Sequence, residues 1–270
     1  VAGDMVVAAN SWVYPYSHPT NGVSARFTVR NLDVLAGGGF DASKKGFAGA
    51  AAQTNGFGPG WGGFVRNKVS AMDGGGAGYG GRGGGWLEYA GNVFGETNGM
   101  FFAPAGPGSG GGGGLTGGYF GGAGGGAINI FASEDVVMNG SLLANGGNGG
   151  TGNSGGGSGG GIWVRSRKFS GTGGVISAAG GAGGGDMSGG GGGGRIAIWH
   201  GVLAEDVDRL LAGSMKRVVT SSTRDTYAGT CTAVNGADKV KPGYFPPRSQ
   251  PGTAVFLTVT PPAQTVIVVR

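Results

Sequence analysis

The chain has 270 residues, of which 70 are glycine and only 12% are charged, with a formal net charge of +5. A charged share about half the usual one argues against a disordered polyelectrolyte. The 11 prolines lie mostly outside the glycine runs, which excludes the strict Gly-X-Y repeat of collagen. Lys and Arg are scattered, the densest cluster being Arg165, Arg167 and Lys168; it reads as a solvated strand-to-turn edge, and no basic stripe interleaved with aromatics points to nucleic acid.

All but seven of the glycines fall between Gly37 and Gly201. Composition therefore divides the chain into an N-terminal β-rich cap and first rung (1–36), a glycine-rich zone (37–201) and a C-terminal region (202–270). The sequence opens at Val1 with neither an initiator Met nor a leader-like segment, as expected of a processed chain. Residues 5–9 and 25–29 are strand-like and flank an aromatic, proline-bearing loop, Trp12-Val13-Tyr14-Pro15-Tyr16. This region is expected to cap one end of a stack, since an open stack of strands invites aggregation. Phe27-Thr28-Val29 and residues 34–38 resemble a divergent first rung.

From 39 to 126 aromatics interrupt the glycine, and the stretch is expected to be a long excursion whose rings pack against glycine legs. Trp61, Tyr79, Trp86, Tyr119 and Phe120 are its candidates for contact with a partner. A repeat then sets in. Ile128, Ile162 and Ile196 stand 34 residues apart, as do Ile130, Val164 and Ile198. Each unit reads as an alternating strand, a polar bend (133–139; 166–173), a second short strand (141–144; 175–178) and a glycine arm (146–161; 180–194). A strand at constant period buries its apolar face only by stacking on its equivalents, so the pattern predicts a parallel β-solenoid.

The glycine arms need a different explanation, because polyglycine strands have no side chains to pack. In the left-handed extended form, polyglycine II, there are three residues per turn and no internal hydrogen bonds, so neighbouring legs must pair with one another. Turn-formers at Gly152-Asn153-Ser154-Gly155 and Asp186-Met187-Ser188-Gly189, with Ser154 and Ser188 again 34 apart, mark the arm midpoints. Each arm is predicted to run out and back over legs of about six residues, roughly 19 Å each. Fold class is thus mainly β: parallel β-solenoid rungs with a packed polyglycine II lattice and small β-rich terminal regions.

After Gly201, residues 204–215 carry Val207, Leu210, Leu211 and Met215 at helical spacing and form the only credible helix. The C-terminus has two β-rich runs, 254–259 and 265–269, separated by Pro261-Pro262. The last run, Thr265, Val266, Ile267, Val268 and Val269, either closes as a local hairpin or edge strand or adds to a neighbouring subunit.

The residue pattern carries no recognisable catalytic or ligand-binding motif. Glu134 and Asp135 are adjacent and, on a strand, would point to opposite faces, so they read as a solvated bend. His18 and His200 lack companions at ligand spacing, which makes a zinc site improbable. Residues 180–186 (GGAGGGD) miss the calcium nonapeptide spacing. No glycine run continues into Lys-Ser/Thr, and the glycine clusters lack the strand-to-helix context of a nucleotide site. Neither catalytic residues nor cofactors nor metals are predicted. Cys231 is single and reads as a small buried hydrophobe. No run of 18 apolar residues exists, so no membrane span is predicted.

The strings VLAGGGFDASKKGFAG, GGGAINI, GSLLANGGNGG, GGGSGGGIWV, GVISAAGGAGGG and GGGGGGRIAIW resemble the glycine-rich repeat domain of large bacterial cell-surface and secreted proteins, over residues 26–200. Composition and motif style are also similar to those of glycine-rich phage tail-tip adhesins. The resemblance implies an extracellular or cell-surface location and an adhesive or structural role, and transfers no catalytic residue. The resulting expectation is a non-enzymatic structural subunit of a surface fibre or filament, self-associating through terminal strands. The alternative is a receptor-binding adhesin for a glycan or outer-membrane protein.

Overall fold

The computed structural model describes residues 3–66, 72–85, 94–114, 119–202, 206–212, 218–221, 227–239 and 248–259. It is mainly β, with three parallel sheets and a single five-residue helix among the described residues. Sheet A contains β1 (Met5–Val7), β4 (Leu32–Val34), β9 (Asp135–Met138) and β12 (Lys168–Ser170), in that order. Sheet B orders β2 (Trp12–Val13), β5 (Gly39–Asp41), β10 (Ser141–Leu143), β13 (Val175–Ser177) and β16 (Thr230–Thr232). Sheet C orders β3 (Arg26–Val29), β8 (Ile128–Ala132), β11 (Gly161–Ser166), β14 (Arg195–His200) and β17 (Thr253–Val259), with β15 (Val218–Ser221) antiparallel on its last edge. A small antiparallel hairpin pairs β6 (Phe64–Arg66) with β7 (Met72–Gly74).

The chain visits sheets C, A and B in turn and then leaves through a glycine arm. Register follows the apolar period: Ile128, Ile162 and Ile196 pair in line with Ala254, and Ile130, Val164 and Ile198 with Phe256. Branched side chains at alternate positions all point inward, and Ile128, Ile162 and Ile196 are fully buried beside Phe40, Leu142 and Ile176 of sheet B and Val34, Val136 and Met138 of sheet A. Burying each such side chain contributes about 1.5–3 kcal/mol.

Sheet A corrects the sequence expectation, which placed only a polar bend at 133–139 and 166–173. Those segments hold β9 and β12, because Val136, Met138 and Phe169 turn into the core while Asp135 and Lys168 stay at the outside. The pairing there is Lys168 with Asp135, one residue short of the 34-residue period, so an inserted residue is absorbed between sheets. The central strands β8, β11 and β14 of sheet C are buried on both faces, as parallel strands are when something covers them. Their outer aromatics Phe131, Trp163 and Trp199 meet edge-on at 4.7 and 5.1 Å, under Ala103, Val207 and Leu210. The helix predicted over 204–215 is α1 (Val207–Leu211) among the described residues, held by buried Val207 and Leu210.

The glycine arms pair leg to leg with a three-residue rhythm. Along 108–114, Gly108, Gly111 and Gly114 donate to Gly125, Gly122 and Tyr119, whereas Gly110 and Gly113 donate to Phe57 and Thr54. Along 155–160, Gly155 and Ser158 donate to Gly112 and Ser109, Gly156 and Gly159 to Gly189 and Gly192, and Gly157 and Gly160 to Gly147 and Ala144. The same leg accepts from Gly122 and Gly125, from Ala77 and from Gly181, so it bonds to neighbours on every side. A Cβ added at Gly156 or Gly157 would fall onto the carbonyl of Gly181 or Ala123, which is why these positions carry no side chain. The described residues between 42 and 127 leave between sheets B and C and thread their glycine runs through this array. Asn145, Asn148 and Asn153 tie successive arms, each side-chain oxygen accepting the backbone N–H 34 residues on at Ala179, Ala182 and Met187 (2.8, 2.9 and 3.2 Å).

Candidate functional site

The aromatic residues of the excursion divide by environment. Trp61 is 42% exposed and Phe120 57% exposed, on separate legs. Tyr119 is half-buried, its ring filling the space where a side chain on Gly152 would stand; Gly152 has φ 82° and turns the arm. Tyr79, by contrast, is 3% exposed. Its ring lies against Gly99 (φ 72°) and replaces solvent at that turn. Trp86 and the assembly run Thr265, Val266, Ile267, Val268 and Val269 lie outside the described residues.

Tyr79 instead reaches the wall of a concavity of about 410 Å3 between the turn at Asn21-Gly22 and the loops carrying Phe47, Pro59, Asn98, Met100 and Pro107. Burial pushes the Tyr79 phenol up to about 12, with the nearby Arg195 guanidinium and the Gly106 amide opposing the shift. Arg195 sits 5.8 Å from the Tyr79 ring, is 8% exposed, and donates through Nε to the Asn98 carbonyl (2.8 Å). Burial lowers its pKa. Exposed Phe57 and Met100–Phe101 stand on the same loops as the lining residues Pro59 and Met100. Sequence reasoning counted Phe57 and Phe101 only as packing rings; the turn pair Gly58-Pro59 between Phe57 and Trp61 is the signal that this stretch bends outward.

A second apolar surface lies at the first rung. β1, β2 and β3 are the outermost strands of the three sheets, and Val6, Trp12, Tyr14, Tyr16 and Val23 are 38–69% exposed there. Alternating charges climb one corner of the stack: Asp4 pairs with Arg30 (2.6 Å), and Arg167 pairs with Glu134 and Asp135 (2.7 Å each). The Arg30 guanidinium and the Asn31 amide hold the Asp4 carboxyl well below the usual carboxylate range. Glu134 and Asp135, read from sequence as a solvated bend, are thus bound to Arg167 across the rungs.

Among the described residues no group of three His, Cys, Asp or Glu side chains is placed to hold a metal ion. No helix among them is long and apolar enough to cross a membrane. Cys231 is half-buried on β16, in line with Ile176. Comparison with protein-family models, with curated proteins and with solved structures finds no match for the chain.

Proposed function

We propose that the chain is a non-enzymatic, extracellular structural module of the bacterial glycine-rich repeat type, in which a parallel β-solenoid carries a polyglycine II lattice along its side. The observation that carries this reading is the three-residue rhythm of donors along 108–114 and 155–160, since a helix of three residues per turn points every third N–H at the same neighbour. Such a lattice satisfies nearly every buried amide without a side chain, leaving a stiff body whose glycine serves shape alone. The function is mechanical: a subunit or module of a surface fibre. Assembly proceeds by strand addition, with the open edges of β1, β2 and β3 receiving a strand such as 265–269 from another copy.

Negative-stain microscopy and sedimentation velocity on the full chain, and on a chain lacking 265–269, test this. Filaments or concentration-dependent oligomers that vanish with the deletion are the expected result. Dispersed monomers at high concentration with the tail intact would refute polymerisation.

The concavity lined by Tyr79 and Asn98 supports a second reading, a receptor-binding adhesin, with exposed Phe57, Trp61 and Met100 on its loops. Glycan-array or outer-membrane-protein binding that is lost on Trp61→Ala, by a chain that stays monomeric, would favour the adhesin over the fibre.

A further inference from the structure

Seven Asn-Gly pairs occur in the chain, beginning at Asn21, Asn55, Asn98, Asn139, Asn145, Asn148 and Asn235. Such a pair is chemically labile. Once the glycine amide loses its proton, the nitrogen attacks the asparagine Cγ, a C–N bond forms and ammonia departs, leaving a succinimide. Water then opens either ring carbonyl to give aspartate or isoaspartate. Glycine permits the attack because no Cβ obstructs it and its backbone is free to rotate. An amide already donated to a carbonyl keeps its proton and stays away from Cγ.

Six of the seven glycine amides are engaged in that way. Gly22 donates to His18 (2.9 Å), Gly56 to Gly62 (3.0 Å), Gly140 to Val34 (2.9 Å), Gly146 to Ala179 (2.8 Å), Gly149 to Ala182 (2.9 Å) and Gly236 to Gly191 (2.8 Å). Among the described residues the Gly99 amide has no acceptor, and Gly99 is exposed with φ 72° while Asn98 is half-buried. The Asn98 side chain is held only by long contacts from Nδ2 to the Gly78 and Glu96 carbonyls, 3.2 and 3.3 Å.

We propose that Asn98 is the modification site of the folded chain, converting through a succinimide to aspartate or isoaspartate while the lattice shields the other six. The change falls on a lining residue of the concavity, at the carbonyl that receives Arg195 Nε. In the isoaspartate product the former Asn98 carbonyl becomes a free carboxylate, beside a buried guanidinium that no carboxylate pairs with among the described residues. The backbone then runs through Cβ and Cγ to Gly99 and is one carbon longer. Conversion therefore changes both the charge and the shape of the concavity over time.

The test uses the unaltered full chain, incubated at mildly alkaline pH either folded or in denaturant, with peptide mass spectrometry following each Asn-Gly pair. In denaturant all seven convert. In the folded chain Asn98 converts within about tenfold of its denatured rate, whereas the other six fall at least about tenfold below theirs, as local opening must precede attack. Asn98 as inert as Asn145 and Asn148, or all seven converting at denatured rates, would overturn the proposal. Amide hydrogen exchange gives a second reading: Gly99 should exchange much faster than Gly146 and Gly149, and equal protection would sink the argument.

Discussion

Replacing Gly157 by Ala probes the lattice at its centre. The new Cβ would fall onto the Ala123 carbonyl, with the Gly122 carbonyl oxygen only 2.7 Å away, and these are backbone atoms that cannot swing aside. Accommodating it means separating legs and straining two hydrogen bonds, from Gly157 N–H to Gly147 (2.9 Å) and from Gly181 N–H to Gly157 (2.8 Å). Each buried group left unsatisfied costs about 1–3 kcal/mol, and forced overpacking adds about 1–3 kcal/mol. Lower unfolded-state entropy offsets about 0.4–1 kcal/mol. The net loss is about 2–9 kcal/mol, a large part of the about 5–15 kcal/mol that holds a typical domain together. Gly173→Ala is the matched control, because nothing lies within 4 Å of its added Cβ and its φ is outside the left-handed region. Equilibrium urea unfolding with both variants measures the difference through the midpoint at constant slope. A loss below about 1 kcal/mol at Gly157, within the range of an ordinary surface change, would refute a closely packed glycine array.

Ile162→Ala should cost about 2–5 kcal/mol by the same unfolding measurement, since Ile162 is fully buried between Ile128 and Ile196. Val175→Ala, at a position 40% exposed, should cost far less. Asn145→Ala should lose about 1–3 kcal/mol, because its side-chain oxygen receives both Ala179 N–H (2.8 Å) and Ser177 Oγ (2.7 Å). Tyr79 predicts an alkaline weakening. Its folded pKa is about 12 against an ordinary 10.0, so between those values the unfolded chain has released the proton and the folded chain has not. The contribution of Tyr79 is therefore constant below pH 10 and falls by about 3 kcal/mol on approaching pH 12. Tyr79→Phe should remove that part of the slope in unfolding curves taken across the range, and an unchanged slope would show that the phenol is not the cause.

The 34-residue period, strands β3, β8, β11, β14 and β17 of sheet C, strands β10 and β13 of sheet B and the position of the arm turns were legible in the residues, whereas β2, β5, β15 and β16 were not. Branched apolar side chains at alternate positions announce a buried strand face, and Asn153 and Gly152 announce a turn wherever they occur. Strands β9 and β12 of sheet A were not legible, because Val136, Met138 and Phe169 are too few and too mixed with polar neighbours to stand out from a bend; the core on the other two sheets turns them inward. The site was legible only as a list of aromatics. Nothing local distinguishes Tyr79, which is sealed against Gly99, from Trp61, which is exposed, since burial depends on which leg arrives opposite each ring. The glycine legs state the limit most clearly. Their composition alone determines that backbones approach closely and bond between legs, but glycine has no side chain to label its partner. Whether Gly157 meets Gly147 and Gly181 rather than any other glycine is decided by the stacked rungs that place the legs, and so by the tertiary structure alone.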